Sequence, residues 1–318
     1  MIYFKGKTAE QLAELHNQAF AGCSKSTKTT FYQSLKRVEK IYDKPFIELR
    51  LSFIDDPSSF CDEMDNSKYS ENTKLTTLTS ILKLLKIIDC PLPLYNKWLE
   101  TLKEKTDERQ KNDDTNLQKR LTVLMDFKTI KTLVYAEVEK YIKGDYDLND
   151  YKDFLILALF TIQIPVRVSN YVSMKVIDDE EYVDNMGNFI LINDNDYKFI
   201  FNRYRTSHIL GRKELNVTDS NLQSLIDRWL GEYNKDSNNF LIISDKNRRP
   251  MNGKQIEKSI RLASEKIFKV PLTIDNIRAS YMKRIVELDP DFQDKLDICA
   301  ILGYSSTTVL DKHEAKEI

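Results

Sequence analysis

"FILINDNDYKFIFNRYRTSHILGRKELNV", residues 189–217, is the stretch on which the fold turns. The runs "FILI", "YKFIFNRY" and "KELNV" are rich in β-branched and aromatic residues, and "NDND" between the first two has the composition of a tight turn. A second turn follows around Gly211. Short strands joined this way predict a small antiparallel sheet.

Both flanks are helical in pattern. Upstream, "DFKTIKTLVYAEVEKYI" and "YKDFLILALFTIQI" are two helices, the second apolar nearly all round and therefore expected in the core. Downstream, "NLQSLIDRWLGEY", "NGKQIEKSIRLASEKIF", "TIDNIRASYMKRIVEL" and "FQDKLDICAILG" return to helical spacing. The chain reads as mainly α with a small antiparallel β-sheet.

Farther out, the first hundred residues read as amphipathic helices. "TAEQLAELHNQAF" begins with a Thr-x-x-Gln capping box and spaces Leu12, Leu15, Ala19 and Phe20 helically. "STKTTFYQSLKRVEKIYD" aligns Phe31, Leu35, Val38 and Tyr42 on one stripe, with Lys28, Lys36, Arg37 and Lys40 mostly elsewhere. "NTKLTTLTSILKLLKIID" aligns Leu75, Leu78, Leu82 and Leu85, with Lys74, Lys83 and Lys86 beside them. A solvated face explains both basic helices on periodicity alone. Residues 103–118, "KEKTDERQKNDDTNLQ", hold no aromatic and no large apolar residue before Leu117, marking a helix extension or a linker. The expected domains are 1–110 and 111–318.

With 318 residues, 41% apolar and 31% charged, the chain has the makings of a globular core. The 48 Lys and Arg nearly cancel the 49 Asp and Glu, a balance that argues mildly against nucleic acid, although the placement of charge matters more than its total. Cys23, Cys61, Cys90 and Cys299 are scattered without C-x-x-C spacing, which predicts buried free thiols rather than a zinc site or disulfide framework. The N-terminus turns polar after four residues, unlike a signal peptide. The longest apolar run, residues 154–162, is too short for a bilayer.

Three stretches carry candidate chemistry. In "IPVRVSNYVSMKV", Arg167 follows a proline at the end of the buried helix, ahead of another expected helical turn. A cation backed by core needs an anion; the plain alternative is a carboxylate such as Asp178 or Asp179. In "NRYRTSHILGRKELNV", Arg203, Arg205, His208, Arg212 and Lys213 crowd one hairpin, either to meet phosphates or as a charged sheet edge. In "TIDNIRASYMKRIVELD", Arg278 lies early in a helix, where the macrodipole disfavours a cation and an external anion is suggested.

Taken in order, these stretches and the closing "LGYSSTTVLDKH" resemble the tyrosine recombinase (phage integrase-like) catalytic domain. The nearer resemblance is to its divergent branch in large DNA viruses, virophages and related mobile elements. Family patterns "P-P-x-R-x-x-D-Y-x-x-M-K", "N-K-Y-K-T-x-K-T-x-G", "L-R-H-S-Y" and "L-G-H-S" face "I-P-V-R-V-S-N-Y-V-S-M-K", "N-R-Y-R-T-S-H-I-L-G", "I-R-A-S-Y" and "L-G-Y-S" here. The match covers most of residues 119–318. The helical first part resembles the family's DNA core-binding domain in shape only.

The resemblance implies that Arg167 and Arg278 grip the scissile phosphate. Arg205 stands where the family has its lysine general acid, a poor exchange because arginine barely releases a proton; Lys213 and Lys198 are the fallbacks. Asp275 occupies a family histidine position, and Tyr304 occupies that of the later histidine or tryptophan. His313 falls where the nucleophilic tyrosine is expected, and no tyrosine follows Tyr304. Lys28, Lys36, Arg37, Lys74, Arg203, His208 and Arg212 become DNA-contact candidates. Double-stranded DNA is the implied partner, with tetramers on DNA, no metal or small-molecule cofactor, and no membrane. An intracellular setting follows: nucleus or viral factory if viral, otherwise cytoplasm.

Three functional readings result. One is a recombinase-fold DNA-binding protein for integration or recombination, with strand breaking and rejoining altered or lost. Another is an active recombinase using His313 or Tyr304. The last is a helical protein-interaction module without a DNA role. Convergence of Arg167, Arg205 and Arg278 in one basic site separates the first two from the last.

Overall fold

A computed structural model describes residues 20, 22–43, 55–87, 90–193, 196–234, 239–244, 246–304 and 306–311; at 26, 87, 112–123 and 311 it describes the backbone alone. The chain divides into two compact units, Met1–Asn116 and Leu117–Ile318. The helix expected around Leu12 and Leu15 lies outside the described residues, as does His313.

The first unit holds α1 (Lys25–Tyr42), α2 (Pro57–Asp65), α3 (Glu71–Ile87) and the start of α4 (Leu92–Val123). The polar stretch at residues 103–118 is thus a helix extension. Ser24 caps α1, its hydroxyl accepting from Thr27 N at 3.2 Å, and Asp56 caps α2 ahead of Pro57 at the first helical position. Val38, Phe60, Met64, Leu78, Ile81, Leu85 and Trp98 form the core. The Leu75, Leu78, Leu82 and Leu85 stripe is buried.

In the second unit α5 (Phe127–Lys143) packs beside α6 (Leu148–Thr161), whose residues from Tyr151 to Thr161 are buried except Asp153. That fits its nearly uniform apolar surface. The sheet runs in the order β1 (Lys175–Ile177), β2 (Asn188–Asn193), β3 (Asp196–Phe201), β4 (Lys213–Asn216). The three expected strands pair antiparallel, with Phe189 opposite Ile200 and Phe201 opposite Lys213. β1 adds a parallel edge, Lys175 opposite Phe189, so the whole sheet is mixed. The stretch after Arg167 was expected to be a helical turn; it is one 3₁₀ turn (Val168–Asn170) that gives way to β1 past Ser173 at φ 56°. One face of β2 and β3 joins the main core through Ile190, Phe199 and Phe201, and the other forms a small cluster of Phe189, Leu191 and Ile200. The residues of "NDND" at 194–195 lie outside the described set.

After the sheet come α7 (Ser207–Leu210, within the β3–β4 connection), α8 (Ser220–Arg228) with a π turn at Trp229–Tyr233, α9 (Gly253–Phe268), α10 (Ile274–Leu288), α11 (Phe292–Ile301) and α12 (Thr308–Asp311). Reciprocal capping boxes start α9 (Asn252 with Gln255) and α10 (Thr273 with Asn276). Trp229 is fully buried and donates from Nε1 to Leu241 O at 2.7 Å. Among the described residues, no helix is long and apolar enough to cross a membrane. Cys61 and Cys299 are buried, whereas Cys23 and Cys90 are half-buried.

Candidate active site

Four separate parts of the second unit meet at one place: the end of α6, the β3–β4 connection, α10, and the turn after α11. Arg278 on α10 is 5% exposed. It donates from Nη1 to Pro165 O at 2.6 Å and from Nη2 to Leu302 O at 2.9 Å. These two bonds tie the segment after α6 to the turn after α11 and consume two of the five guanidinium donors. The early-helix arginine therefore has internal acceptors, although neither is an anion.

Arg167 sits just before the 3₁₀ turn. Its Nε is buried with no hydrogen-bond partner among the described residues, and no carboxylate pairs with it there. The alternative of an Asp178 or Asp179 pair is thus not seen; Asp179 instead caps a 3₁₀ turn by accepting from Glu181 N. Burial pushes the Arg167 guanidinium below its ordinary value, and Arg278 pushes it further; Tyr304 and Asp275 act in the opposite sense, and Arg205 adds a smaller push downward.

The two guanidinium carbons lie 5.4 Å (Arg167) and 5.5 Å (Arg278) from the ring centre of Tyr304. They therefore stand within ~11 Å of each other, where an effective dielectric near 20 gives a repulsion of at least ~1.5 kcal/mol. The ring's negative face offsets part of this. Gly303 makes the arrangement geometrically accessible: its φ is +82°, and a Cβ there would stand 3.3 Å from Arg167 Nε and 3.9 Å from Thr206 Oγ1.

The β3–β4 connection is shaped by Asn188, which is 5% exposed. Its side-chain oxygen accepts from Asn202 N at 3.0 Å and Arg203 N at 2.8 Å, and its amide donates to Asn170 O and Arg203 O. Those backbone groups leave the ladder, so the strand expected to run through "NRY" stops at Phe201. The chain then turns through Arg205 and Thr206 into α7. Tyr204 closes the loop by donating to Gly211 O at 2.7 Å.

Of the sequence-derived candidates, Arg167, Arg278 and Tyr304 come together, with Arg205 and Asp275 within electrostatic reach of Arg167. Arg205 is exposed. Lys213 lies over the Tyr204 ring at 5.6 Å, its Nζ buried and without a hydrogen-bond partner among the described residues. Burial pushes its ammonium down to about 8, with Asp297 pulling the other way. Lys198 pairs with Glu214 at 3.2 Å. Arg212 is taken up by Glu180 and, at 2.6 Å, by Glu214. Arg203 is exposed and donates to Met186 O, and His208 is exposed.

In the first unit, Lys28 is exposed, Lys36 pairs with Glu39 at 2.7 Å, and Arg37 donates to Ser34 Oγ at 3.3 Å. Lys74 bridges Asp65 at 3.1 Å and Glu71 at 2.8 Å. A cleft of about 840 Å³ in the second unit is lined by Lys175, Asp184, Asn188, Arg203 and Glu257, among others, but by neither Arg167 nor Arg278. The paired guanidiniums, not this cleft, concentrate charge. Among the described residues, no group of three His, Cys, Asp or Glu side chains could hold a metal ion.

Gly303 and Asn188 also shape the site, and Asn188 does so without standing out in sequence. Asn188 opens a strand next to Gly187, a weak turn signal; nothing local shows that its amide serves Asn170, Asn202 and Arg203. Gly303 is the exception, since a glycine after a helix end signals a positive φ.

No protein-family profile matches this chain, and no curated protein matches it either. Among solved structures, the crystal structure of XerA recombinase aligns over 98% of this chain and 94% of its own, with 14% identity and a TM-score of 0.40. The likeness is loose.

Proposed function

We propose that the chain is a DNA-binding protein of the tyrosine recombinase fold, acting in DNA integration or recombination, with strand cleavage altered or lost. The observation that carries this reading is the meeting of Arg167 and Arg278 at Tyr304, with no carboxylate pairing either guanidinium among the described residues. Two adjacent cations without an anion cost stability. A phosphate diester relieves that cost and accepts the donors that the protein leaves over. This local concentration of positive charge answers the near-zero net charge, and it favours a DNA role over a protein-interaction module.

The ordered sequence motifs add the fold expectation. The family's hairpin lysine is replaced by Arg205 and its nucleophilic tyrosine by His313. Arg205 is a poor proton donor, so the leaving oxygen lacks an efficient acid at that position. Grip is kept while the proton donor and nucleophile differ, which is the pattern of a DNA clamp without efficient cleavage.

A second reading is favoured by one observation: Tyr304 is the tyrosine standing at both guanidiniums. In that reading the Tyr304 oxygen bonds to phosphorus as the bond to the 5′-oxygen breaks, leaving a covalent 3′-phosphoryl adduct and a 5′-hydroxyl that carries the proton the tyrosine gave up. A nicked duplex substrate that traps such adducts separates the two. The clamp predicts bound DNA with no adduct. An adduct that disappears in Tyr304→Phe, or in His313→Ala, overturns it in favour of an active enzyme.

A further inference from the structure

The first unit brings two nucleophilic side chains into contact, far from the arginine pair in sequence. Lys83 on α3 donates from Nζ to Cys23 Sγ at 3.0 Å, across 60 residues of chain. A turn places the sulfur. Gly22 at φ 80° lets Cys23 N donate to Phe20 O at 3.0 Å, and α1 then starts from its cap at Ser24.

Two aromatic faces place the amine. Phe20 and Phe31 pack with ring centres 4.4 Å apart, and Lys83 Nζ stands 5.0 Å from the first centre and 4.8 Å from the second. Ring faces attract an ammonium and hold it where it is. Among the described residues the Cys23 sulfur is its hydrogen-bond acceptor, and no carboxylate pairs with it. Cys23 and Lys83 are both half-buried, whereas Cys61 and Cys299 lie in the core. Cysteines that respond to oxidants are reachable ones with a second nucleophile alongside. Cys90, the other half-buried thiol, has only the Pro91 carbonyl as a hydrogen-bond partner among the described residues, at 3.7 Å.

We propose that Cys23 and Lys83 are a modification site, joined by a sulfur–nitrogen bond when the protein meets hydrogen peroxide. The Cys23 sulfur takes one peroxide oxygen as the O–O bond breaks. Sulfur loses two electrons to the peroxide, and the other oxygen leaves as water with the thiol proton. Lys83 gives one ammonium proton to solvent and attacks the resulting sulfenic acid through its nitrogen lone pair. The S–N bond forms as the S–O bond breaks, and the hydroxide leaves as water with a proton from nitrogen. One thiol, one ammonium and one peroxide thus yield one sulfenamide, two waters and one proton. Sulfenic acids condense with a backbone nitrogen in this way. The resting contact of 3.0 Å already lies at near-attack distance, about 3–3.5 Å. The link ties the residue ahead of α1 to α3 and removes the Lys83 charge from the basic side of that helix.

The test treats the full chain with hydrogen peroxide, digests it without reductant and maps the products by mass spectrometry. The expected product is a peptide pair joined between Cys23 and Lys83, lighter by two hydrogens than the separate peptides and parted by dithiothreitol. Cys23→Ser and Lys83→Arg should each abolish it, since a guanidinium keeps the charge over the rings but is too weak a nucleophile to condense. Lys86→Arg should leave it in place, because Lys86 is exposed and makes no contact with the sulfur among the described residues. Mapping the wild-type product needs no substitution, so a variant that fails to fold does not decide the question. Separate peptides with Cys23 oxidised onward to the sulfinic acid overturn the inference. So does a Cys23 link to another cysteine in place of Lys83, or a joined pair that persists in Lys83→Arg. DNA binding enters none of these outcomes, so the site stands or falls apart from the DNA-binding reading.

Discussion

Lys213→Met should stabilise the larger unit, and the gain should vanish at high pH. The Lys213 Nζ is buried, has no hydrogen-bond partner among the described residues, and is held down to about 8 from an ordinary 10.5 by burial. At 1.36 kcal/mol per tenfold change, the full difference corresponds to ~3.4 kcal/mol. The side chain is only half-buried, and solvent screening reduces this to about 1–2 kcal/mol. The sign follows from proton counting. Below pH 8 both folded and unfolded chains carry the proton, and the folded state bears the whole cost of a desolvated charge. Between about 8 and 10.5 the folded state sheds its proton first, so stability from this group rises with pH.

Methionine removes the charge and keeps the length. The assay is urea unfolding followed by fluorescence of Trp229, read in a Trp98→Phe background because Trp98 and Trp229 lie in different units. Lys213→Met should be more stable by about 1–2 kcal/mol at pH 6.5–7.5, with the difference closing as pH approaches 10.5. A variant that is less stable, or a difference that does not shrink above pH 8, refutes the reasoning.

Asn188→Ala strips two backbone N–H groups and two carbonyls of their partners; a loss of about 3 kcal/mol or more is expected by urea unfolding, with faster hydrogen exchange at Asn202 and Arg203. Gly303→Ala forces a side chain onto φ +82° and against Arg167 Nε, which should cost about 1–2 kcal/mol and move the Arg167 Nε–Hε resonance. Arg278→Met frees the carbonyls of Pro165 and Leu302 but removes the repulsion with Arg167; a net loss of about 1–4 kcal/mol should appear in the same unfolding curves.

Helices with strong periodicity and local caps were legible from residues alone. α6 announces its burial through a nearly continuous apolar surface, and α9 and α10 show their apolar spacing in sequence, with capping boxes at Asn252 and Thr273 fixing their starts in the structure. The strands β2 to β4 were equally plain. β1 was not, because three residues carry no period and its parallel partner lies beyond an irregular loop. The end of β3 was misplaced for a related reason: Asn188 takes the N–H groups of Asn202 and Arg203 from a distance that no local pattern records.

The candidate site divides the same way. Motif order singles out Arg167 and Arg278, but their meeting at Tyr304 depends on the packing of α6, α10 and the turn after α11. Lys213 and Arg212 are neighbours of one residue type class, and sequence treats them alike. Packing buries the amine of one without a partner and gives the other two carboxylates. The hairpin motif includes Thr206, but no local pattern shows that its hydroxyl makes no capping hydrogen bond among the described residues, since a threonine before a helical turn reads as an ordinary cap.

The central claim, a phosphate grip made by two arginines, is tested most directly by duplex DNA binding measured as fluorescence anisotropy across a salt series. Wild type, Arg167→Ala and Arg167→Lys are compared, since the Arg167 side chain makes no hydrogen bond or ion pair among the described residues whose loss would confuse folding with binding. Wild type should bind saturably with affinity falling steeply as salt rises. Arg167→Ala should weaken binding by roughly tenfold or more and flatten the salt slope by about one, with Arg167→Lys in between. Identical affinity and salt slope in all three proteins, or no saturable binding by the wild type at low salt, would contradict the account.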